Sequence, residues 1–189
     1  VLWLGRVAGV TGASAGLGAA TAVELCKKGL TTIGLARRAE RFEELKKNLT
    51  PDEQKNFHSM KCDVSNESDI VKVFSEIEKK FGGVDVLVNN AGIVRQGATI
   101  DPNNSADMRA VIDTNVMGLL LCTREAVNTI RKRKADGQII HINSIAGHYM
   151  PFMKEFPPFG VYSASKFAVT ALTEQHRQEF MREKLNIKV

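Results

Sequence analysis

The sequence predicts a doubly wound α/β fold in a single domain, on three observations. Short apolar runs alternate with amphipathic stretches along the whole chain. A glycine-rich turn stands directly after the first apolar run. At 189 residues the chain is long enough for one domain with a substantial core. Strand–helix alternation implies a parallel sheet covered on both faces. Right-handed crossovers then make it doubly wound.

The elements follow in order. "RVAGV" (Arg6 to Val10) is an apolar run ended by glycine, hence a strand, and Gly9 inside it weakens it. "LGAATAVELCKKG" reads as a helix, with Ala20, Val23 and Leu25 facing inward and Gly29 closing its C-terminus. "TTIGLA" (Thr31 to Ala36) is a second strand, and "AERFEELKKNL" a helix with Glu and Lys at i,i+4. "FHSMKCD" is a third strand. In "SDIVKVFSEIEKKFG" the residues Ile70, Val73, Phe74, Ile77 and Phe81 recur at helical spacing. "VDVLVNNAG" is a fully apolar strand that breaks at Asn and Gly. The stretch from Ser105 to Lys134 reads as one long helix, "GQIIHINS" as a fifth strand, and "VYSASKFAVTALTEQHRQEFMRE" as a last long helix. "NIKV" begins a further strand.

Composition excludes several classes. The net charge of +5 is mild, and runs such as "RKRKADG" suit the C-terminal end of a helix. No basic stripe interleaved with aromatics points to nucleic acid. The three cysteines, Cys26, Cys62 and Cys122, have neither disulfide-framework nor metal-ligand spacing. They fit a reducing compartment, and a cytoplasmic protein is expected. No apolar run reaches the ~18–20 residues of a membrane span, and "VLWLGRVAGVTG" is interrupted too early for a signal peptide.

The turn "TGASAGLG" (Thr11 to Gly18) follows a strand and opens a helix. Glycines at 12, 16 and 18 let the backbone turn tightly and approach a ligand. The helix N-terminus offers free N–H groups to a pyrophosphate. A plain tight loop is the other reading. Where an NAD site places an acid at the second strand's end, this chain has Arg37 and Arg38. Arginines there pair with a 2′-phosphate, so NADP(H) is expected over NAD(H). Two solvated arginines at a helix start are the alternative.

Tyr162 and Lys166 lie four residues apart in the last helix and so share a face. They form either an accident of a solvated face or a proton-transfer device. A free tyrosine, with pKa ~10, is a poor base near neutral pH, and a nearby ammonium favours the phenolate. Ser144, at the expected end of the fifth strand, suits the holding of a substrate oxygen. Asn115 stands mid-helix, where asparagine is disfavoured, so a local distortion is expected there.

"TGASAGLG", "CDV" (Cys62 to Val64), "NNAG" (Asn89 to Gly92), Asn115 in "DTNVMG", Ser144 in "HINSIAG" and "YSASK" (Tyr162 to Lys166) stand in this order. Together they resemble the short-chain dehydrogenase/reductase family over the whole chain, with its Rossmann-type fold. "CTREAV", "GQIIHINSIAGH" and "YSASKFAVTALTE" further resemble the branch holding insect farnesol dehydrogenases and vertebrate ketosteroid reductases. The resemblance implies that Gly12, Ser14, Gly16, Leu17 and Gly18 cradle the diphosphate and that Arg37 and Arg38 hold the 2′-phosphate side. It implies that Asp63 and Val64 flank the adenine, that Asn90, Ala91 and Gly92 line the ribose region, and that Asn89 ties strands together. Asn115, Ser144, Tyr162 and Lys166 would form a catalytic tetrad, with Tyr162 and Lys166 also touching the cofactor. A homodimer or homotetramer through the two long helices is implied as well.

The family pattern continues past "NIKV" into a substrate lobe and closing strands, so residues 1–189 are expected to be a C-terminally shortened domain. A cofactor-binding protein without catalysis is the alternative function on that account. Between Ser144 and Tyr162, Tyr149, Met150, Phe152, Met153, Phe156 and Phe159 make an apolar loop at the site. They suit a lipophilic alcohol or ketone such as a terpenoid or steroid, or else pack against the domain or a second subunit.

Overall fold

The computed structural model describes residues 3–150, 154 and 158–189. Its six strands are β1 (Val7–Thr11), β2 (Thr31–Ala36), β3 (Phe57–Lys61), β4 (Val86–Asn89), β5 (Gly137–His141) and β6 (Ile187–Lys188). They form one sheet in the order β3-β2-β1-β4-β5-β6, with every pairing parallel. The strand order reverses between β1 and β4, and the crevice above their C-terminal ends is where such sheets take ligands.

At the centre of the sheet both faces are buried, which is why β1, β2 and β4 read as largely apolar runs. Val7, Ile33, Leu35 and Leu87 point to one face, packed with Ile70, Phe74 and Ile77 of α4 (Glu67–Phe81) and Cys122, Ala126 and Ile130 of α6 (Gly118–Arg133). Ala8, Val10, Val86 and Val88 point to the other, packed with Ala22, Val23 and Cys26 of α1 (Gly16–Lys27). Phe42, at the start of the short helix α2 (Phe42–Lys46), is fully buried on that second face. Its ring lies over Gly34 so closely that any Cβ there would overlap it. The expected strand–helix order is therefore present, including the pairing of "NIKV" with β5 through Gly137 and Gln138.

Several local expectations need correction. On α1 the inward set is Gly18, Ala19, Ala22, Val23 and Cys26, whereas Ala20 is exposed and Leu25 half-buried. The stretch expected to be one helix from Ala39 is a 3-10 turn (Ala39–Arg41) followed by α2. A further turn of helix, α3 (Pro51–Gln54), follows, with Thr50 and Glu53 forming a reciprocal capping box and Pro51 at its first position. The single helix expected from Ser105 is divided into α5 (Ser105–Ile112), a π-helical turn (Asp113–Met117) and α6. The distortion expected at Asn115 is this π turn. Finally, β5 stops at His141 rather than reaching Ser144. Ile142 makes the last bond to β4, Ile142 N–H to Asn89 O at 2.9 Å. Its own carbonyl is taken instead by the Lys166 ammonium at 2.8 Å, and the chain turns away.

Candidate active site

A cleft of about 1120 Å³ opens over the C-terminal ends of β1, β2, β4 and β5. Its floor is knitted from the ends of β1 and β4. The buried Thr11 hydroxyl accepts the N–H groups of Asn90 and Ala91, each at 3.0 Å. The Asn90 amide donates back to Thr11 O at 2.9 Å. This approach leaves no room for side chains on the glycine turn. A Cβ on Gly12 would stand 2.8 Å from Ala91 Cα, and one on Gly18 2.6 Å from Gly12 O and in collision with the Asn90 amide. Gly16 differs: open space lies above it, and it is its left-handed φ of +56° that favours glycine.

The N-terminus of α1 suits an anion. Its N-cap, Ala15, makes no side-chain cap, and no acidic residue stands in its first turn. The leading N–H groups are thus left to a ligand. Ser14, Gly16 and Leu17 line the cleft there, with Leu17 72% exposed, while Gly18 lies beneath, against Asn90. A glycine-shaped cradle at an uncapped helix start fits the diphosphate of a dinucleotide.

Arg37 and Arg38 line the cleft beyond the end of β2, both exposed. Among the described residues neither is paired with a carboxylate. Glu40 lies in the 3-10 turn, off the cleft. Asp63 and Val64 line the adjoining wall. The Asp63 carboxylate is engaged by Ser65, whose N–H and hydroxyl donate to it at 3.0 and 2.7 Å. Val64 is buried because Gly118 admits its backbone: a Cβ on Gly118 would stand 2.6 Å from Val64 O. Beside them Cys62 is a neutral wall, its thiol pushed up to about 12 by burial and then by Asp69 and Asp63.

Tyr162 and Lys166 stand at the other end of the cleft on α7 (Tyr162–Arg182), and both line it. They face the same way, with Lys166 Nζ 5.9 Å from the centre of the Tyr162 ring. Lys166 is 6% exposed, and burial lowers its pKa. Ser144 does not line the cleft; it follows the lining residues Ile142 and Asn143 and caps a 3-10 turn (Ile145–Gly147), its Oγ accepting Ala146 N–H at 3.1 Å. Asn115 does not line the cleft and is 2% exposed. Its amide pairs with both backbone groups of Ile93, at 2.8 and 2.9 Å, and donates to Ser165 Oγ at 3.0 Å. It thereby fixes the segment after Asn90, Ala91 and Gly92, which line the cleft, to the helix bearing Tyr162.

Asn89, expected to tie strands together, donates to Thr123 Oγ1 of α6 at 2.9 Å and meets His141 Nδ1 of β5 at 3.2 Å. His141 Nε2 in turn meets His176 Nδ1 at 3.1 Å. Composition did not single out this buried polar chain, nor Val94, Arg95 and Arg109 on the cleft rim. Of the apolar loop, Phe159 lines the cleft with its ring 6.4 Å from that of Tyr162, and Tyr149 and Met150 are exposed. Phe152, Met153 and Phe156 lie outside the described residues.

A family model described as short chain dehydrogenase matches residues 6–189. A farnesol dehydrogenase of Aedes aegypti is 52% identical over 99% of this chain and 75% of its own length. A short-chain dehydrogenase structure from Streptomyces avermitilis superposes with a TM-score of 0.84 at 33% identity, covering 98% of this chain and 63% of that one. ElxO, solved with NADP bound, gives a TM-score of 0.83 at 29% identity, covering 98% of this chain and 71% of its own.

Proposed function

Because the chain belongs to the short-chain dehydrogenase family, we propose that this oxidoreductase moves a hydride between NADP(H) and a lipophilic alcohol or its carbonyl counterpart. The observation that carries the reading is the pairing of Tyr162 with a buried Lys166 on one face of α7, at the far end of a cleft that begins in a dinucleotide cradle. When bound, the nicotinamide nucleotide supplies or accepts the hydride.

The residues of the chain then have separate tasks. The Tyr162 hydroxyl gives its proton to the substrate oxygen in reduction and takes it back in oxidation. A cation beside the phenol stabilises negative charge on its oxygen during that transfer. Lys166 spends one donor on Ile142 O, which aims the ammonium and leaves two donors of three for the ribose and for proton exchange. The Ser144 hydroxyl already accepts Ala146 N–H, so its own proton is free for the substrate oxygen. Asn115 completes the tetrad by holding the Ile93 segment against α7.

Arg37 and Arg38 support NADP(H), since two cleft-lining guanidinium groups without carboxylate partners suit a 2′-phosphate. That the similar structure ElxO has NADP bound gives this reading further support. Val94, 46% exposed on the rim, and Phe159 beside Tyr162 support an apolar substrate. With the Aedes relative they favour a terpenoid alcohol such as farnesol, with steroids as the second class. Helices α6 and α7 form a groove of about 370 Å³ lined by Leu120, Leu121 and Leu185 together with Arg124, Arg131 and Glu179, which supports a homodimer or homotetramer. Among the described residues no helix is long and apolar enough to cross a membrane.

The test is turnover with farnesol, hydroxysteroids and short polar alcohols, using NADP+ and NAD+ in parallel. NADP+ is expected to be preferred by at least about tenfold, with the preference lost in Arg37→Ala/Arg38→Ala. Equal use of both nucleotides would remove the cofactor assignment, and a preference for the polar alcohols would remove the substrate class. NADPH binding without turnover of any substrate would favour a binding protein over an enzyme.

A further inference from the structure

Tyr162, Lys166 and Thr170 succeed one another at intervals of four along α7 and so form a single stripe on that helix. The first two belong to the site already described. Thr170 does not line the cleft, yet it is bonded to the loop that carries Ser144 on both sides of that serine. Its hydroxyl accepts from Asn143 Nδ2 at 2.8 Å and donates to Gly147 O at 2.8 Å. Its own helix offers a competing acceptor, Lys166 O, only at 3.3 Å. One turn earlier Lys166 Nζ donates to Ile142 O at 2.8 Å. The loop is therefore fastened to the stripe at residues 142, 143 and 147, with Ser144 between the fastenings.

The contact is too close to be incidental. Gly147 is buried, and a Cβ there would stand 2.5 Å from Lys166 O and 2.6 Å from Asn143 Oδ1. The loop thus lies directly on the helix backbone. Asn143 Oδ1 is itself buried without a hydrogen-bond partner. Among the described residues the Nδ2 bond to Thr170 is therefore the one hydrogen bond that orients this amide. Removing it would leave the whole Asn143 amide and the Gly147 carbonyl short of partners, a cost that a segment relieves by moving. Ser144 would move with it.

We propose that Thr170, acting through Asn143 and Gly147, is a positioning residue that fixes the Ser144 hydroxyl relative to the Tyr162 phenol. The claim rests on the oxidoreductase reading for its effect on turnover, and on the hydrogen bonds alone for its effect on the loop. Thr170→Val keeps the shape and removes the hydroxyl; Thr170→Ser keeps the hydroxyl. A displacement of about 1 Å at a reacting group costs about 100-fold, so Thr170→Val is expected to lower kcat by about 10- to 100-fold. KM and NADPH affinity should stay within about twofold, because neither the apolar rim nor the glycine cradle is touched. Thr170→Ser should restore kcat.

Hydrogen exchange, measured with and without NADPH, reads the fastening independently of turnover. Exchange at the backbone amides of 146–148 should accelerate in Thr170→Val and return in Thr170→Ser. If Thr170→Val fails to fold, Asn143→Ala severs the same bond from the loop side and should show the same acceleration. Unchanged exchange and unchanged kcat in the valine variant would overturn the proposal. So would a loss of kcat that serine does not rescue. A parent enzyme without turnover would count against the oxidoreductase reading, while the exchange data would still decide whether the fastening exists.

Discussion

The two halves of the cleft are built by opposite means. The dinucleotide half rests on a floor tied by the Thr11 and Asn90 side chains, and above it is shaped by missing side chains: Gly12 and Gly18 let Asn90 approach, and Gly16 turns the chain into an uncapped helix. The catalytic half is made of polar side chains that reach backbone, Lys166 to Ile142, Thr170 to Gly147 and Asn115 to Ile93, or one another, Asn143 to Thr170. A half made from absences has few ways to adjust, because added atoms have nowhere to go. A half made from polar side chains depends on each bond staying intact and on the protonation state of its neighbours.

Gly18→Ala should give the largest effect in the dinucleotide half. The added methyl collides with the Asn90 amide and crowds Gly12 O. Overpacking of this kind costs about 1–3 kcal/mol, so NADPH affinity by titration should fall roughly 10- to 100-fold. Affinity within twofold of the parent would mean that the cradle tolerates side chains, and the contrast would fail.

Acid should act on the other half. His141 lies just before the Ser144 loop, and its pKa is lowered to about 4 by burial and then by His176; burial also lowers that of His176. Thr123 Oγ1 donates to Leu119 O and so accepts from Asn89, whose amide also donates to His141 Nδ1. That leaves His141 Nε2–H to donate to His176 Nδ1, and no further proton is accommodated. An unfolded histidine takes its proton near pH ~6.5. Between there and about 4 the unfolded state binds more protons. Stability is thus intact above that window and falls as pH drops through it, by up to about 1.4 kcal/mol per pH unit for one group. Tm should drop more between pH 7 and pH 5 in the parent than in His141→Asn; equal drops would show the pair to be indifferent.

The smallest effect sharpens the contrast within β1 itself. A Cβ on Gly9 would meet Leu87 and Val84 at an ordinary 3.7 Å. Gly9→Ala should therefore raise stability by about 0.4–1 kcal/mol in denaturant titration, with no loss of NADPH binding. A destabilised variant would mean that the need for glycine extends beyond the turn.

The same contrast governs what could be read from the sequence. The succession of strands and helices, the sheet covered on both faces and the glycine turn were legible because apolar periodicity and glycine spacing state them directly. The residue types of Tyr162 and Lys166 were legible because four-residue spacing on a helix guarantees a common face. The early end of β5 was not, since it depends on Lys166, remote in sequence, taking the Ile142 carbonyl. The helix α3 carried a local signal, Thr50 and Glu53 around Pro51, that a search for hydrophobic periodicity passes over. Thr170 carried no signal, because its partners Asn143 and Gly147 meet it only in the folded chain. The place of Ala20 was misjudged because α1 buries small residues, and alanine marks neither face.

The most direct measurement of the central claim is Tyr162→Phe, assayed for turnover with farnesol and for NADPH binding on the same preparation. Loss of the phenolic proton should cost at least about 100-fold in kcat, while NADPH affinity stays near that of the parent because the cradle lies at the other end. Turnover close to the parent's would contradict the role of Tyr162. Binding lost together with turnover would contradict the separation of the two halves.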